Sequence, residues 1–248
     1  MKFINIKGHL YDLDEPLVMG ILNMTPDSFY PASRFQNSEA MERRIAEIVE
    51  EGGKIIDVGG YSSRPNAADI SSDTEKQRLK PALEYLKRYF PDVIVSVDTF
   101  RADIARWAVE EYGVAMINDI SGGAIDERMF ETVAQLQVPY ILMHIRGTPQ
   151  TMQYETDYQD IMEDVMLYFA GKLRTLQLLG VNDIILDPGF GFSKTVDQNY
   201  ELMRSLPQFS IFECPLLVGV SRKSMIHKFL NCSVEDSLNG TTILHTFA

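Results

Sequence analysis

Seven short apolar runs constrain this chain more than any other feature of it. Each ends in polar or turn-forming residues, and each is followed by a segment with helical spacing. The runs are LVMGIL (17–22), KIIDV (54–58), VIVSV (93–97), VAMIN (114–118), PYILM (139–143), DIILD (183–187) and CPLLVGV (214–220). They are rich in Val, Ile and Leu on both alternating faces, as strands covered on both sides of a parallel sheet must be. The intervening segments carry the helical period. In 157–180, Ile161, Val165, Phe169, Leu173, Leu176 and Leu179 recur every three or four residues, and Gly180 closes the helix. Residues 72–90 open with Ser72-x-x-Glu75, a capping-box pattern, and carry Pro81, which predicts a kink. Residues 38–51 start at Ser38 and stop at Gly52-Gly53. Ahead of the first run, MKFINIKGHLYDL alternates apolar and polar residues around Lys7-Gly8, the pattern of a hairpin and not of a signal peptide.

A strand–helix alternation of this kind admits a doubly wound sheet or a (β/α)8 barrel. The polar residues decide between them. In a barrel every C-terminal strand end converges on one mouth, whereas in an open sheet only those at the switch point do. Here polar residues follow nearly every run, so the sequence predicts an α/β fold, a (β/α)8 TIM barrel with an N-terminal β-hairpin, as one domain over 1–248. A Rossmann reading would need GxGxxG after the first run. GFGFSK (189–194) has two of those glycines but follows the sixth.

Composition sets the outer limits. A chain of 248 residues with 45% hydrophobic and 23% charged content buries an ordinary globular core. Its net charge of −12 argues against a general nucleic-acid binder, which needs a basic surface. No stretch approaches the roughly 20 apolar residues of a membrane span. Cys214 and Cys232 share no metal-ligand spacing and predict reduced thiols. A cytoplasmic protein with neither nucleic acid nor membrane as partner is expected.

The strand ends carry Asn23, Asp57, Asp98, Asn118-Asp119, Met143-His144, Asp187 and Arg222-Lys223. Singly, each has a simple structural reading. Asp and Asn cap helices and make turns, and a lone His is most often packed and hydrogen-bonded. As a set they are harder to dismiss, because Asp57, Asp98, Asp187, Asn23, Asn118 and Lys223 would share one bowl in which no charge can be left unpaired. Carboxylates and amides together read the donor and acceptor edges of a flat heterocycle. A carboxylate beside a reacting carbon also stabilises positive charge there. No His/Cys cluster suggests zinc, and GxSxG is absent. VSRKSM (220–225) places Ser224 and Lys223 at a helix start suited to an anion. The long loops 59–73, with Arg64, and 145–157, with Arg146, read either as solvated excursions or as a lid and an anion contact.

GILNMTPDSF, DVGGYSSRP, SVDTF, INDISGG, LMHIRGTPQTMQ, DPGFGFSK and VGVSRKS, in this order from about residue 17 to the end, closely resemble dihydropteroate synthase of the bacterial folate pathway. The resemblance implies a TIM barrel that joins 6-hydroxymethyl-7,8-dihydropterin pyrophosphate to p-aminobenzoate, releasing pyrophosphate and 7,8-dihydropteroate by an ionising, SN1-like substitution. It also implies Mg2+ as cofactor, a homodimer, and inhibition by sulfonamides. Carried over by residue, Asp98, Asn118, Met143, Asp187 and Lys223 resemble the pterin-binding set. Asp98, Lys223 and Asn23 resemble the catalytic group, with Asp98 beside the carbocation-like carbon and Asn23 holding Mg2+ and the pyrophosphate. Ser63, Arg64, Pro65, Phe192, Ser221 and Ser224 resemble the p-aminobenzoate site, over which a first loop, Thr25 to Phe29, would close.

The chain departs from the family at Tyr61, where Glu is usual, and at Ser63, where Thr is common. The resemblance also predicts that an eighth βα unit, with the family's Arg-x-His, is missing from this sequence, because NGTTILHTFA (239–248) reads as the helix after the seventh run. Two other readings stay open. A methyltetrahydrofolate-dependent corrinoid methyltransferase would share residues like Asp98, Asn118 and Asp187 but has less use for Ser63-Arg64-Pro65. A non-catalytic pterin-binding subunit would not need Asn23, Asp98 and Lys223 intact.

Overall fold

The computed structural model describes residues 3–25, 34–63 and 68–248, with only the helical backbone for 34–37. An antiparallel hairpin comes first, β1 (Phe3–Ile6) and β2 (His9–Asp12). Lys7 and Gly8 turn it with φ of 52° and 83°, the positive pair that a tight two-residue hairpin requires. Six parallel strands follow: β3 (Met19–Asn23), β4 (Ile55–Gly59), β5 (Ile94–Asp98), β6 (Met116–Asp119), β7 (Tyr140–Met143) and β8 (Ile184–Asp187). They are hydrogen-bonded in sequence order, with no reversal of the kind that a doubly wound sheet has. Between and after them lie α1 (Arg34–Glu50), α2 (Ser72–Tyr89), α3 (Ala102–Tyr112), α4 (Met129–Leu136), α5 (Ile161–Leu178), α6 (Val196–Arg204), α7 (Ser224–Leu230) and α8 (Leu238–Phe247).

Strand residues alternate between two cores, and this alternation locates the site. Ile56, Val58, Val97, Ile117, Leu142 and Leu186 pack outward in one cluster with helix residues such as Ile45, Leu83, Ala105 and Phe169. Ile55, Ile94, Met116, Ile141 and Ile185 face inward and cluster with Ile4 and Ile6 of the hairpin. The hairpin therefore plugs the end where the strands begin. The end where they finish is left as the mouth.

The expected seventh strand, 214–220, is an extended segment joined to β8 by a single parallel bridge, Leu186 to Leu216. Leu186 N–H donates to Pro215 O at 2.9 Å and Leu217 N–H to Leu186 O at 2.8 Å. The next rungs above and below would draw on the N–H groups of residues 188 and 215. Both are prolines and have none to give. Among the described residues no ladder joins this segment to β3, whose Val18 and Ile21 flank is exposed, and only helical elements follow it.

Helix starts differ from the sequence expectation in two places. The first long helix, α1, begins at Arg34, four residues before Ser38. The N-cap of α2 is Ser71, whose Oγ accepts from Thr74 N–H at 3.2 Å, so the expected Ser72/Glu75 box does not form. Glu75 turns inward instead and pairs with Arg101, which also reaches Ile70 O. The α2 helix continues through Pro81 to Tyr89 as one element. Among the described residues no helix is long and apolar enough to cross a membrane.

Candidate active site

Parallel pairing brings the polar strand ends to one level. Asn23, Gly59, Asp98 and Asn118 are in register across β3 to β6, and Met143 is in register with Asp187 across β7 and β8. Gly59 is what lets its two neighbours share the mouth. A Cβ there would lie 3.3 Å from Asn23 Oδ1 and 3.5 Å from Asp98 Oδ2. One layer deeper, Asp57 is level with Ser96. Asn118 Nδ2 donates across β5 to Asp57 Oδ2 at 2.8 Å. Asp57 Oδ1 and Ser96 Oγ are buried beside each other, with no partner besides one another.

The electrostatics of this layer are those of crowded carboxylates. Burial raises the pKa of Asp57, against the pull of Ser96 and Asn118. Half-buried Asp98 accepts no hydrogen bond from the described residues. Its pKa is driven well above the usual range, first by burial and then by the charges of Asp57, Glu75, Asp119 and Asp187. Asp187 is also raised by burial, but Lys223, the Gly189 N–H and Lys194 oppose that rise. The Gly189 N–H donates to Asp187 Oδ1 at 2.8 Å. Lys223 Nζ donates to Phe190 O at 2.6 Å and lies 4.9 Å from the centre of the Phe192 ring. Burial lowers the pKa of Lys223, and Asp187 works against that.

Apolar walls complete the mouth. Met143 and Phe192 belong to a cluster with Tyr61, Phe100, Ile120 and Ile145. Tyr61 is fixed there by Gln150, whose Nε2 donates to its hydroxyl at 2.8 Å, and by Arg101, 5.3 Å from its ring centre. Ser63 is half-buried, Ser221 is exposed, and Ser224 is the first residue of α7. Arg64 and Pro65 lie outside the described residues, as does most of the expected first loop from Pro26 to Phe29.

Several sequence candidates face elsewhere. Asp119 accepts from Ser121 N–H and Oγ, both at 2.7 Å, from Gly123 N–H at 2.8 Å and from the Tyr140 hydroxyl at 2.7 Å. It holds its loop. Arg146, open between solvated and anion-binding readings, is held within the chain: it pairs with Asp164 at 2.9 Å, donates to Asp157 O and stacks 3.8 Å above Tyr158. Arg222 donates to Glu235 O. His144 is buried against Tyr168, with Nδ1 3.0 Å from the Nζ of Lys194. Burial first, then Lys194 and Arg146, hold its pKa at about 2. Lys194, buried behind the strand-end loop, had no distinguishing signal in the sequence beyond its place in GFGFSK.

Among the described residues no group of three His, Cys, Asp or Glu is arranged to hold a metal ion. Asn23 offers one amide oxygen at the rim. That donor set suits a hard cation that arrives with a polyphosphate and keeps several of its waters, as Mg2+ does.

Residues 19–248 match the family model described as pterin binding enzyme. The dihydropteroate synthase of Synechocystis is 44% identical over 216 residues, covering 86% of this chain and 74% of that protein. A crystal structure of Yersinia pestis dihydropteroate synthase in complex with a sulfonamide drug superposes with a TM-score of 0.89 at 36% identity, over 99% of this chain and 89% of that one. The Clostridium difficile enzyme, crystallised in the presence of pteroic acid, gives 0.87 at 34% identity, over 94% and 87%.

Proposed function

The chain belongs to the dihydropteroate synthases, within the pterin binding enzyme family, and on that premise we propose how its residues divide the reaction. It is a transferase that condenses 6-hydroxymethyl-7,8-dihydropterin pyrophosphate with p-aminobenzoate, giving 7,8-dihydropteroate and pyrophosphate. The observation that carries the assignment of roles is the under-satisfied acceptor surface of the mouth. Asp98 accepts no hydrogen bond from the described residues, Asp57 Oδ1 has only the Ser96 hydroxyl beside it, and both carboxylates stand beside Asn118. A buried acceptor without a donor costs free energy until a ligand brings one.

Asp98 and Asp187 accept from the N–H edges of the pterin. Asn118 has its Nδ2 committed to Asp57, so its carbonyl oxygen is the atom left for a ring donor. Lys223 supplies the complementary donor, and Met143 walls the ring. Asn23, with Mg2+ when that ion is bound alongside the diphosphate, faces the leaving group; the ion's contribution is to lower the charge that departs. Phe192, Ser63, Arg64, Pro65, Ser221 and Ser224 hold the arylamine and its carboxylate.

The bond between the exocyclic carbon and the diphosphate oxygen breaks first, leaving positive charge on that carbon. Asp98, crowded by other carboxylates, faces this charge, and its raised pKa means the carboxylate gains from a positive neighbour. The arylamine nitrogen then bonds to the carbon, and its proton leaves from an acidic arylammonium, so no strong base is required. His144 is not that base, since it is buried, bound to Lys194 and held neutral.

The homodimer and the cytoplasmic setting belong to the same proposal. Phe229, Leu230, Ile243 and Phe247 of α7 and α8 are exposed and offer an apolar face for a second copy, which sedimentation would reveal. The reaction is tested by supplying both substrates and Mg2+. Pyrophosphate and 7,8-dihydropteroate are expected in equal amounts, turnover requires the arylamine, and a sulfonamide or a chelator stops it. Tight pterin binding without turnover would support the non-catalytic reading instead.

A further inference from the structure

One cation behind the mouth has no part in the reaction above. Lys194 follows DPGFGFS at the end of β8 and is 8% exposed. Its Nζ lies 3.0 Å from His144 Nδ1, 3.0 Å from Gly189 O and 3.0 Å from Phe192 O. An ammonium has three N–H bonds, and these three acceptors meet them, with His144 O a longer fourth at 3.5 Å. His144 is neutral, and against an ammonium its Nδ1 is the nitrogen that accepts, which puts the ring proton on Nε2. Burial pulls the Lys194 pKa down to about 7; Asp187 opposes this, while Lys223 and Arg146 add to it.

The two carbonyls are the ends of one tight turn, since Phe192 N–H donates back to Gly189 O at 3.0 Å. Everything that this turn presents to the mouth is functional in the reading above. Gly189 N–H sits on Asp187, Phe190 O receives Lys223, and the Phe192 ring lies beneath the Lys223 ammonium. The next residue is tied down as well. Ser193, at φ 47°, accepts from Arg146 N–H at 2.9 Å, stapling the β8 loop to the β7 loop. Gly189 also cannot carry a side chain, because a Cβ would fall 2.1 Å from His144 O. Lys194 and His144 thus form the floor on which turn 189–192 rests.

We propose that Lys194, clasped by His144, is a positioning residue for arylamine capture, fixing turn 189–192 from behind so that the Phe192 ring, held against Lys223, forms one wall of the p-aminobenzoate site. The inference rests on the assignment of Phe192 to that site. It predicts an asymmetry. Asp187 keeps its place through β8, whereas Phe192 is carried by the turn and only partly buried against the Met143 cluster, so loss of the ammonium should damage the arylamine site more than the pterin site.

The test uses Lys194→Met and His144→Leu in the full chain. Two quantities are compared: KM for p-aminobenzoate, and the calorimetric Kd for dihydropterin pyrophosphate measured without arylamine. Lys194→Met is expected to raise that KM about tenfold, with the inhibition constant of a sulfonamide rising in parallel and the pterin Kd changing less than about threefold. His144→Leu removes the ring acceptor and leaves the three carbonyls, so it should move the same ratio in the same direction by a smaller factor. If Lys194→Met does not fold, the ratio in His144→Leu decides. Equal losses at both sites, or an unchanged KM, would overturn the inference. A wild-type chain that does not condense the two substrates would instead remove the assignment it rests on.

Discussion

Replacing Asp98 with asparagine is expected to lower turnover by about 10²–10³-fold while making the folded protein more stable at neutral pH. Both effects come from one circumstance. The Asp98 carboxylate is crowded by Asp57, Glu75, Asp119 and Asp187, is taken partly out of water, and accepts no hydrogen bond from the described residues. Its charge is therefore an unfavourable feature of the free protein. That same charge becomes favourable when a cation develops on the substrate.

The pH dependence follows from the direction of the shift. Because the folded-state pKa lies above the unfolded one, Asp98 favours folding fully below the unfolded value, and that contribution is lost as pH rises through the raised folded value. The amide that Asp98→Asn introduces does not titrate. Thermal unfolding of Asp98→Asn and of the parent protein should thus coincide near pH 4, with the variant the more stable by pH 8. In the same preparations kcat should fall by more than the pterin Kd rises. Equal changes in both would mean that Asp98 binds the pterin and does nothing more in the transition state.

Replacing Lys223 with methionine is expected to weaken pterin pyrophosphate binding by about two orders of magnitude, the scale of stranding a buried charge. Lys223 is the largest influence opposing the burial of Asp187, and it also satisfies Phe190 O. Without it, Asp187 keeps the Gly189 N–H and the more distant Lys194, and its pKa climbs further. The carboxylate is the form that accepts from the pterin. Calorimetry on Lys223→Met should therefore show part of the lost affinity returning as pH is raised from 6 to 8. An affinity equal to that of the parent protein at both pH values would place Lys223 outside the pterin site.

The layout of the mouth was legible because it depends on strand register, which short apolar runs ending in polar residues carry on their surface. Asn23, Asp98 and Asn118 each close such a run, and they come out level. The hairpin was legible from Lys7-Gly8 for the same local reason. The weak pairing of 214–220 depends on two prolines on opposite sides of the ladder, Pro188 and Pro215, which only the register brings into opposition.

Long-range partners account for what the sequence did not show. Glu75 leaves its expected capping role because Arg101, 26 residues away, draws it inward. Arg146 could not be assigned because its partners, Asp157 O and Asp164, come from the segment before α5 and from the first turn of that helix. Lys194 reads as an ordinary loop lysine until His144, 50 residues earlier, folds beneath it.

The central claim is that positive charge forms on the exocyclic carbon before the arylamine bonds to it, with Asp98 there to stabilise that charge. Positional isotope exchange tests this without any arylamine. Dihydropterin pyrophosphate carrying ¹⁸O in the bridging ester oxygen is incubated with the chain and Mg2+, and the recovered substrate is analysed. Reversible ionisation predicts that the label scrambles into the non-bridging oxygens, and that it does so far more slowly in Asp98→Asn. A label that stays in the bridge, in a protein that turns over fully once p-aminobenzoate is added, would contradict the account and place bond breaking after the amine's attack has begun.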